Sequence, residues 1–227
     1  NLDSLYTVWQ DQNQSDSSRA TAYKEYIWNG FLFSNPDSAF ILAEELVVFG
    51  QKKQYPKARA MGYNTQGTSF AIKGNYPKAL WSFERCLIIY EEIGSKKGIA
   101  GSLANIGVIY DNQSNYPKAL EYYQRSLKIY EDSGDKTGIA NALFNIGNIY
   151  LHQNNYPKAL EHYQRSLKIY QDSGDKQGIA YVLNSIGAIY QGQGNHPRAL
   201  EYYEKSLKME EEIGDKRAMS QCLVNIG

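Results

Sequence analysis

Asn155-Tyr156-Pro157-Lys158-Ala159-Leu160 is the stretch on which the fold turns, because the chain repeats it. It occurs as Asn75 to Leu80, as Asn115 to Leu120 and, varied, as Asn195-His196-Pro197-Arg198-Ala199-Leu200. The step is 40 residues each time. Two further blocks keep that step. One is Leu103-Ala104-Asn105-Ile106-Gly107, matched at 143–147, 183–187 and 223–227. The other is Gly134-Asp135-Lys136, matched at 174–176 and 214–216, with Gly94-Ser95-Lys96 as its variant. A fixed period of this length marks an array of supersecondary units that bury their apolar faces only by stacking.

Each unit reads as two helices. Ile139, Leu143, Ile146, Gly147 and Tyr150 mark one face of a first helix, and Ala159, Leu160, Tyr163, Ser166, Leu167 and Tyr170 one face of a second. Asn155 can cap the second helix and Pro157 fits its first turn, where a missing N–H costs nothing. Gly174 suits the left-handed residue after the helix, and Asp175 can cap the next one. Glu161 and Arg165 are spaced for an i,i+4 pair. Gly147 and Ala159 lie where the helices of a pair should cross, with Tyr150 and Tyr163 filling the space beside them. The tyrosines are therefore expected to be mostly core and inter-repeat packing. The predicted pairs are 17–53, 55–93, 96–133, 136–173 and 176–213, with a half pair from about 216.

The order Leu143…Ile146-Gly147…Tyr150…Ala159…Tyr163…Ser166 resembles the tetratricopeptide repeat consensus. A 40-residue period also suits HEAT or armadillo arrays, but the Gly/Tyr/Ala/Tyr pattern favours the tetratricopeptide reading. The resemblance implies an all-α solenoid of stacked antiparallel helix pairs forming a right-handed superhelix. The unit is longer than the short form, with Gly-Asp-Lys where a proline usually closes the second helix. Such long units are similar to those of kinesin light chains, spindle-orientation adaptors and large bacterial sensory arrays.

The first part is less regular. Residues 1–53 read as an N-terminal helix, with Leu2, Leu5, Val8 and Trp9 on one face, and a degenerate first repeat in which Gly30, Phe33 and Ala39 echo the Gly, Tyr and Ala of the later units. Residues 54–227 read as regular repeats, about four full pairs and a truncated half repeat. The stretch from Trp28 to Ala39 resembles the leader of arrays attached to bacterial sensor histidine kinases or nucleotide cyclases. That resemblance implies an extracytoplasmic, periplasmic location; a cytoplasmic one is the alternative. The chain starts without Met and stops inside a repeat, so it is expected to be a piece of a longer protein, and self-stacking through the truncated C-terminal repeat is an expectation too.

Function classes narrow quickly. Lys plus Arg number 24 against 24 Asp plus Glu, so the basic excess needed for a nucleic-acid partner is missing. There is no polybasic run for an acidic membrane and no long apolar run for a span. Cys86 and Cys222 should lie several helix layers apart, beyond disulfide reach, as buried small residues. His152, His162 and His196 have no zinc-like spacing. The latter two replace the repeated aromatics Tyr122 and Tyr116. No metal, cofactor or enzymatic activity is expected.

What remains is binding. The resemblance implies that the first helices line a concave groove for a protein or an extended peptide. The candidates are Asn64, Asn105, Asn141, Phe144, Asn145, Asn148, Tyr181, Asn184 and Asn225, with Met61, Thr65, Thr68, Leu151 and Gln191 nearby. Asn105, Asn145 and Asn225 share one repeat position, interrupted by Thr65 and Ser185. A column of amides can bond both N–H and C=O of a peptide, and some long arrays of the family use such a ladder. In the alternative, each Asn bonds its own helix backbone or a neighbouring repeat. Phe144, Leu151 and Tyr181 can be apolar anchors or residual core. No Lys/Asn set resembles the carboxylate clamp of chaperone-binding repeats. The sequence thus points to a protein- or peptide-binding scaffold, a sensory or recruiting region of a larger bacterial signalling protein. A free-standing adaptor and a structural spacer are the alternatives.

Overall fold

The computed structural model describes residues 1–214 and 216–226. Asp215, in the middle of one repeated block, and Gly227, at the end of another, lie outside the described residues. Those residues form helices α1 (Leu2–Gln10), α2 (Asp16–Gly30), α3 (Pro36–Lys52), α4 (Pro56–Ile72), α5 (Tyr76–Glu92), α6 (Lys96–Asn112), α7 (Tyr116–Ser133), α8 (Lys136–His152), α9 (Tyr156–Ser173), α10 (Lys176–Gly192), α11 (His196–Ile213) and α12 (Lys216–Ile226). There is no strand among them, and no described helix is long and apolar enough to cross a membrane. From α3 onward the helix bounds fall close to where the period places them.

The local punctuation acts as the residues dictate. The Asn155 side chain accepts from the Lys158 N–H at 3.4 Å, and Asp175 from the Gly178 N–H at 3.0 Å, so each satisfies one of the amides that a helix start leaves without a partner. Gly174 closes α9 with φ at 70°, a conformation that a Cβ would penalise.

Two compact units divide within α7, at Tyr122 and Tyr123. In residues 1–122, consecutive helices from α1 to α6 pack in order. The core at its start holds Trp9, Tyr23, Ile27, Leu32, Leu46 and Phe49. Trp9 stacks on Tyr23 with centroids 4.1 Å apart, and the Arg19 guanidinium lies over both Trp9 and Phe49 while its Nε donates to the Trp9 carbonyl at 2.9 Å. Ring stacking and a charged cover let a short N-terminal helix hold its place. The degenerate repeat departs from its expected echo. α2 ends at Gly30, so Phe33 falls in the loop and is 68% exposed, while Leu32 is fully buried instead. Gly30 faces Leu2 of α1, not a second-helix aromatic. Only Ala39 keeps its buried place.

In residues 123–227, α8 with α9 and α10 with α11 form tight pairs, joined by α9 against α10. Tyr163, Tyr170, Val182, Ile186 and Ile189 form the core between them. A Cβ on Gly147 would lie 2.5 Å from Tyr163 Cε1, and one on Gly187 2.6 Å from Tyr203 Cε1, so both glycines allow an aromatic ring to lie against the helix backbone. The Ser166 hydroxyl donates to the Ala140 carbonyl at 2.8 Å, and Ser206 to Ala180 at 2.9 Å, tying each second helix to its first. One expected surface pair does not form as read. Arg165 reaches Glu131 of α7 at 3.8 Å in place of Glu161, whereas Lys205 and Glu201 do pair at i,i+4. A long side chain finds the neighbouring helix as easily as its own next turn.

Candidate functional site

The groove candidates sit on the first helices α4, α6, α8, α10 and α12. In the first unit, Asn105 Nδ2 donates to Asn64 Oδ1 at 2.7 Å, one repeat back. Both residues are half-buried. The bond uses one donor of Asn105 and one acceptor of Asn64, leaving the Asn105 carbonyl and the Asn64 amino group at the same place. Thr65, expected on this face, is fully buried. Its hydroxyl donates to the Met61 carbonyl at 3.0 Å and accepts from Trp28 Nε1 at 2.9 Å. A small β-branched residue one position from the amide thus becomes a contact between α2 and α4.

The second unit repeats the amide pair, with Asn225 Nδ2 donating to Asn184 Oδ1 at 2.9 Å. The two cross-repeat pairs follow from the residues available. Asn64 and Asn184 stand at one repeat position, where Ala104, Phe144 and Val224 stand in the other units. An amide at the next position finds an amide partner only where that earlier residue is Asn. Asn145 is half-buried.

Two of the three asparagines of α8 are held by tyrosines. Tyr163 of α9 donates to Asn148 Oδ1 at 2.6 Å, and Tyr170 of α9 donates to Asn141 Oδ1 at 2.5 Å. Asn148 therefore does not face wholly away from its partner helix, as the helical spacing suggested. Tyr203 donates likewise to Gln191 Oε1 at 2.7 Å, since Ala188 takes the place of Asn148 in that repeat. A phenol buried among apolar side chains needs an acceptor for its hydroxyl, and the rim of the first helix supplies it. Burial, and then the Asp175 carboxylate, push the Tyr170 phenol up to about 12, so it remains a neutral donor. The sequence carried this signal unread: Tyr123, Tyr163 and Tyr203 recur at one buried position, so each implied a polar partner.

Phe144 and Leu151 pack against the core, and the Phe144 ring lies 5.7 Å from that of Tyr163. Tyr181 is 46% exposed, its hydroxyl accepting from Gln177 Nε2 at 2.8 Å. Of the three proposed anchors, Tyr181 alone is exposed.

The remaining chemistry is structural. His162 stacks on Tyr150 at 5.5 Å, as Tyr122 does on Tyr110 and Tyr202 on Tyr190, and burial lowers its pKa. His152 and His196 are exposed. Cys86 and Cys222 are free and buried. Among the described residues, no group of three His, Cys, Asp or Glu is placed to hold a metal.

The tetratricopeptide repeat family matches residues 58–132, 100–172 and 138–212, more than half of the chain. The chain belongs to the tetratricopeptide repeat family. Solved structures share its fold at low identity. BtubC from P. vanneervenii is similar with a TM-score of 0.73 and 19% identity, covering 85% of this chain and 82% of its own. A Rap protein complexed with Competence and Sporulation Factor is similar at 0.71 and 14%, covering 99% and 67%. The apo form of the quorum sensor NprR from B. thuringiensis is similar at 0.66 and 16%, covering 99% and 68%. A comparison with curated protein sequences gave no match. The chain is thus a tetratricopeptide-type array of helix pairs, a family of protein-interaction scaffolds that is generally not enzymatic.

Proposed function

We propose that the first helices of each unit bind an extended peptide or a protein segment, and that the array serves as the sensing or recruiting region of a larger bacterial signalling protein. The Asn105–Asn64 pair carries the reading, although it is itself a bond to the neighbouring repeat. It holds two amides rigidly side by side and leaves one acceptor and one donor for a ligand. An extended peptide offers the matching N–H and C=O. In the second unit, Asn141, Asn145 and Asn148 form a polar row on α8, and Tyr181 adds an aromatic anchor on α10. The pre-oriented amides lower the ordering cost of binding. That a Rap protein structure holds Competence and Sporulation Factor, and that NprR is a quorum sensor, favours a signalling setting.

The test is a display library of unstructured peptides selected on this chain, with alanine scanning and backbone N-methylation of the peptides recovered. Peptides that lose binding on N-methylation at alternate residues support amide-to-backbone recognition. Selection of none, or of peptides indifferent to N-methylation, contradicts it.

A further inference from the structure

We infer that the outer face of α3 and α5 docks a second partner, through an amphipathic helix whose apolar stripe carries a lysine or arginine. The second helices, aligned at the 40-residue step, differ at the positions that point to solvent. α7, α9 and α11 carry Glu121 and Lys128, Glu161 and Lys168, Glu201 and Lys208, all exposed. α3 and α5 carry Ile41 and Val48, Trp81 and Ile88 at the same positions. These four are exposed as well, Ile41 to 59% and Trp81 to 50%. The cores of these helices are already filled by Ala39, Leu46 and Phe49, and by Ala79, Phe83 and Cys86. Single exposed apolar residues need no explanation, but a contiguous set in place of charges does.

Three of the four, Ile41, Val48 and Trp81, border two depressions on one face. One, of about 430 Å³, is lined by Trp9, Ile41 and Val48. The other, of about 570 Å³, lies between Val48 of α3 and Trp81 of α5, with Tyr63 and Phe70 of α4 as its floor. Glu44 and Val48 line both, so the depressions form one surface. From Ile41 to Lys52 it follows α3 for roughly 16 Å, about three helical turns. That length suits a helix presenting anchors at i, i+3 or i+4, and i+7.

Charge selects the occupant. Arg85, Arg125, Arg165 and Lys205 share the position that Glu45 holds in α3. The outward face of α3 is therefore Ile41, Glu44, Glu45 and Val48, two carboxylates between apolar residues with the usual cation reversed. Glu45 accepts from the Tyr23 hydroxyl at 2.6 Å. Glu44 has no ion-pair partner among the described residues. Arg85 and Lys78 are drawn over the rings of Trp81 and Phe70, at 5.3 and 5.5 Å. Lys52 lines the far end of the first depression, about 12 Å along α3 from Glu44. A cation within the partner's apolar stripe fits the vacancy between the two depressions.

The experiment uses a set of helical peptides of about 18 residues, each with one apolar stripe and Lys, Gln or Glu at its centre. Binding is followed by calorimetric titration of the chain and of each variant, with tryptophan emission of the parent chain as a second signal. Binding of the Lys series with a blue shift, at least about tenfold tighter than the Glu series, is the expected result. Ile41→Glu/Val48→Lys and Trp81→Glu/Ile88→Lys should each remove it at unchanged helicity, because α7, α9 and α11 carry those residues at the same register. Asn105→Ala/Asn145→Ala should leave it unchanged, which separates this face from the groove. Failure of every peptide to bind, equal binding of the Glu series, or full binding by both outer-face variants would overturn the inference.

Discussion

Gly147 and Tyr163 are packed so closely that a single added carbon would lie 2.5 Å from the tyrosine ring. The glycine is thus the mould for the aromatic, and the aromatic is fully buried because the mould exists. The same relation joins Gly187 to Tyr203 and Gly67 to Phe83. Gly147→Ala should cost about 1–3 kcal/mol through overpacking, despite the better helix propensity of alanine. Denaturant unfolding of Gly147→Ala, Tyr163→Leu and the double variant checks this. The expected coupling is favourable, because leucine, smaller than the tyrosine ring, makes room for the methyl.

Loop conformation gives a gain in the opposite direction. Gly74 and Gly194 close first helices with φ at 72° and 74°, whereas Ser114 holds that position at 56°. A left-handed serine pays a backbone penalty that glycine does not. Ser114→Gly should stabilise the fold by about 1 kcal/mol. Asn154→Gly should gain less, since its side chain accepts from the Tyr156 hydroxyl at 3.2 Å. Thermal melts of both variants decide the order.

Burial of phenols sets the alkaline limit. Tyr90 and Tyr170 are both raised from 10.0 to about 12, each first by burial. The unfolded chain therefore gives up these protons at lower pH than the folded one. Stability is fully present below pH 10 and is lost as pH rises from 10 towards 12. Urea midpoints across that window should fall, and fall less in Tyr170→Phe. A flat profile would contradict the burial of these rings.

Cys86 reports on opening. Burial pushes its thiol up to about 11, despite a bond from Ser102 at 3.3 Å. A buried, protonated thiol is a poor nucleophile. Thiol labelling at neutral pH should follow unfolding, with slow modification of the native protein. Rapid native labelling would contradict the assigned packing.

The helices and their caps were legible in the residues because Asn155, Pro157, Gly174 and Asp175 each act within one turn. The repeat register was equally legible, since each copy supports the others. Legibility stopped where partners lie on another helix. Arg165 chose Glu131, Thr65 was covered by Trp28, and Phe33 slipped into a loop when α2 ended early. Helical spacing placed Asn148 on the first-helix face, but the hydroxyl that reaches it comes from α9. At the candidate site, period gave the column of amides, and only coordinates gave their pairing one repeat apart.

The central claim is that amides of the first helices recognise a peptide. The most direct measurement is the affinity of a library-selected peptide for the chain and for Asn105→Ala/Asn145→Ala, with helicity measured on both. The account predicts a loss of about tenfold or more at unchanged helicity. Equal affinity at equal helicity would contradict it.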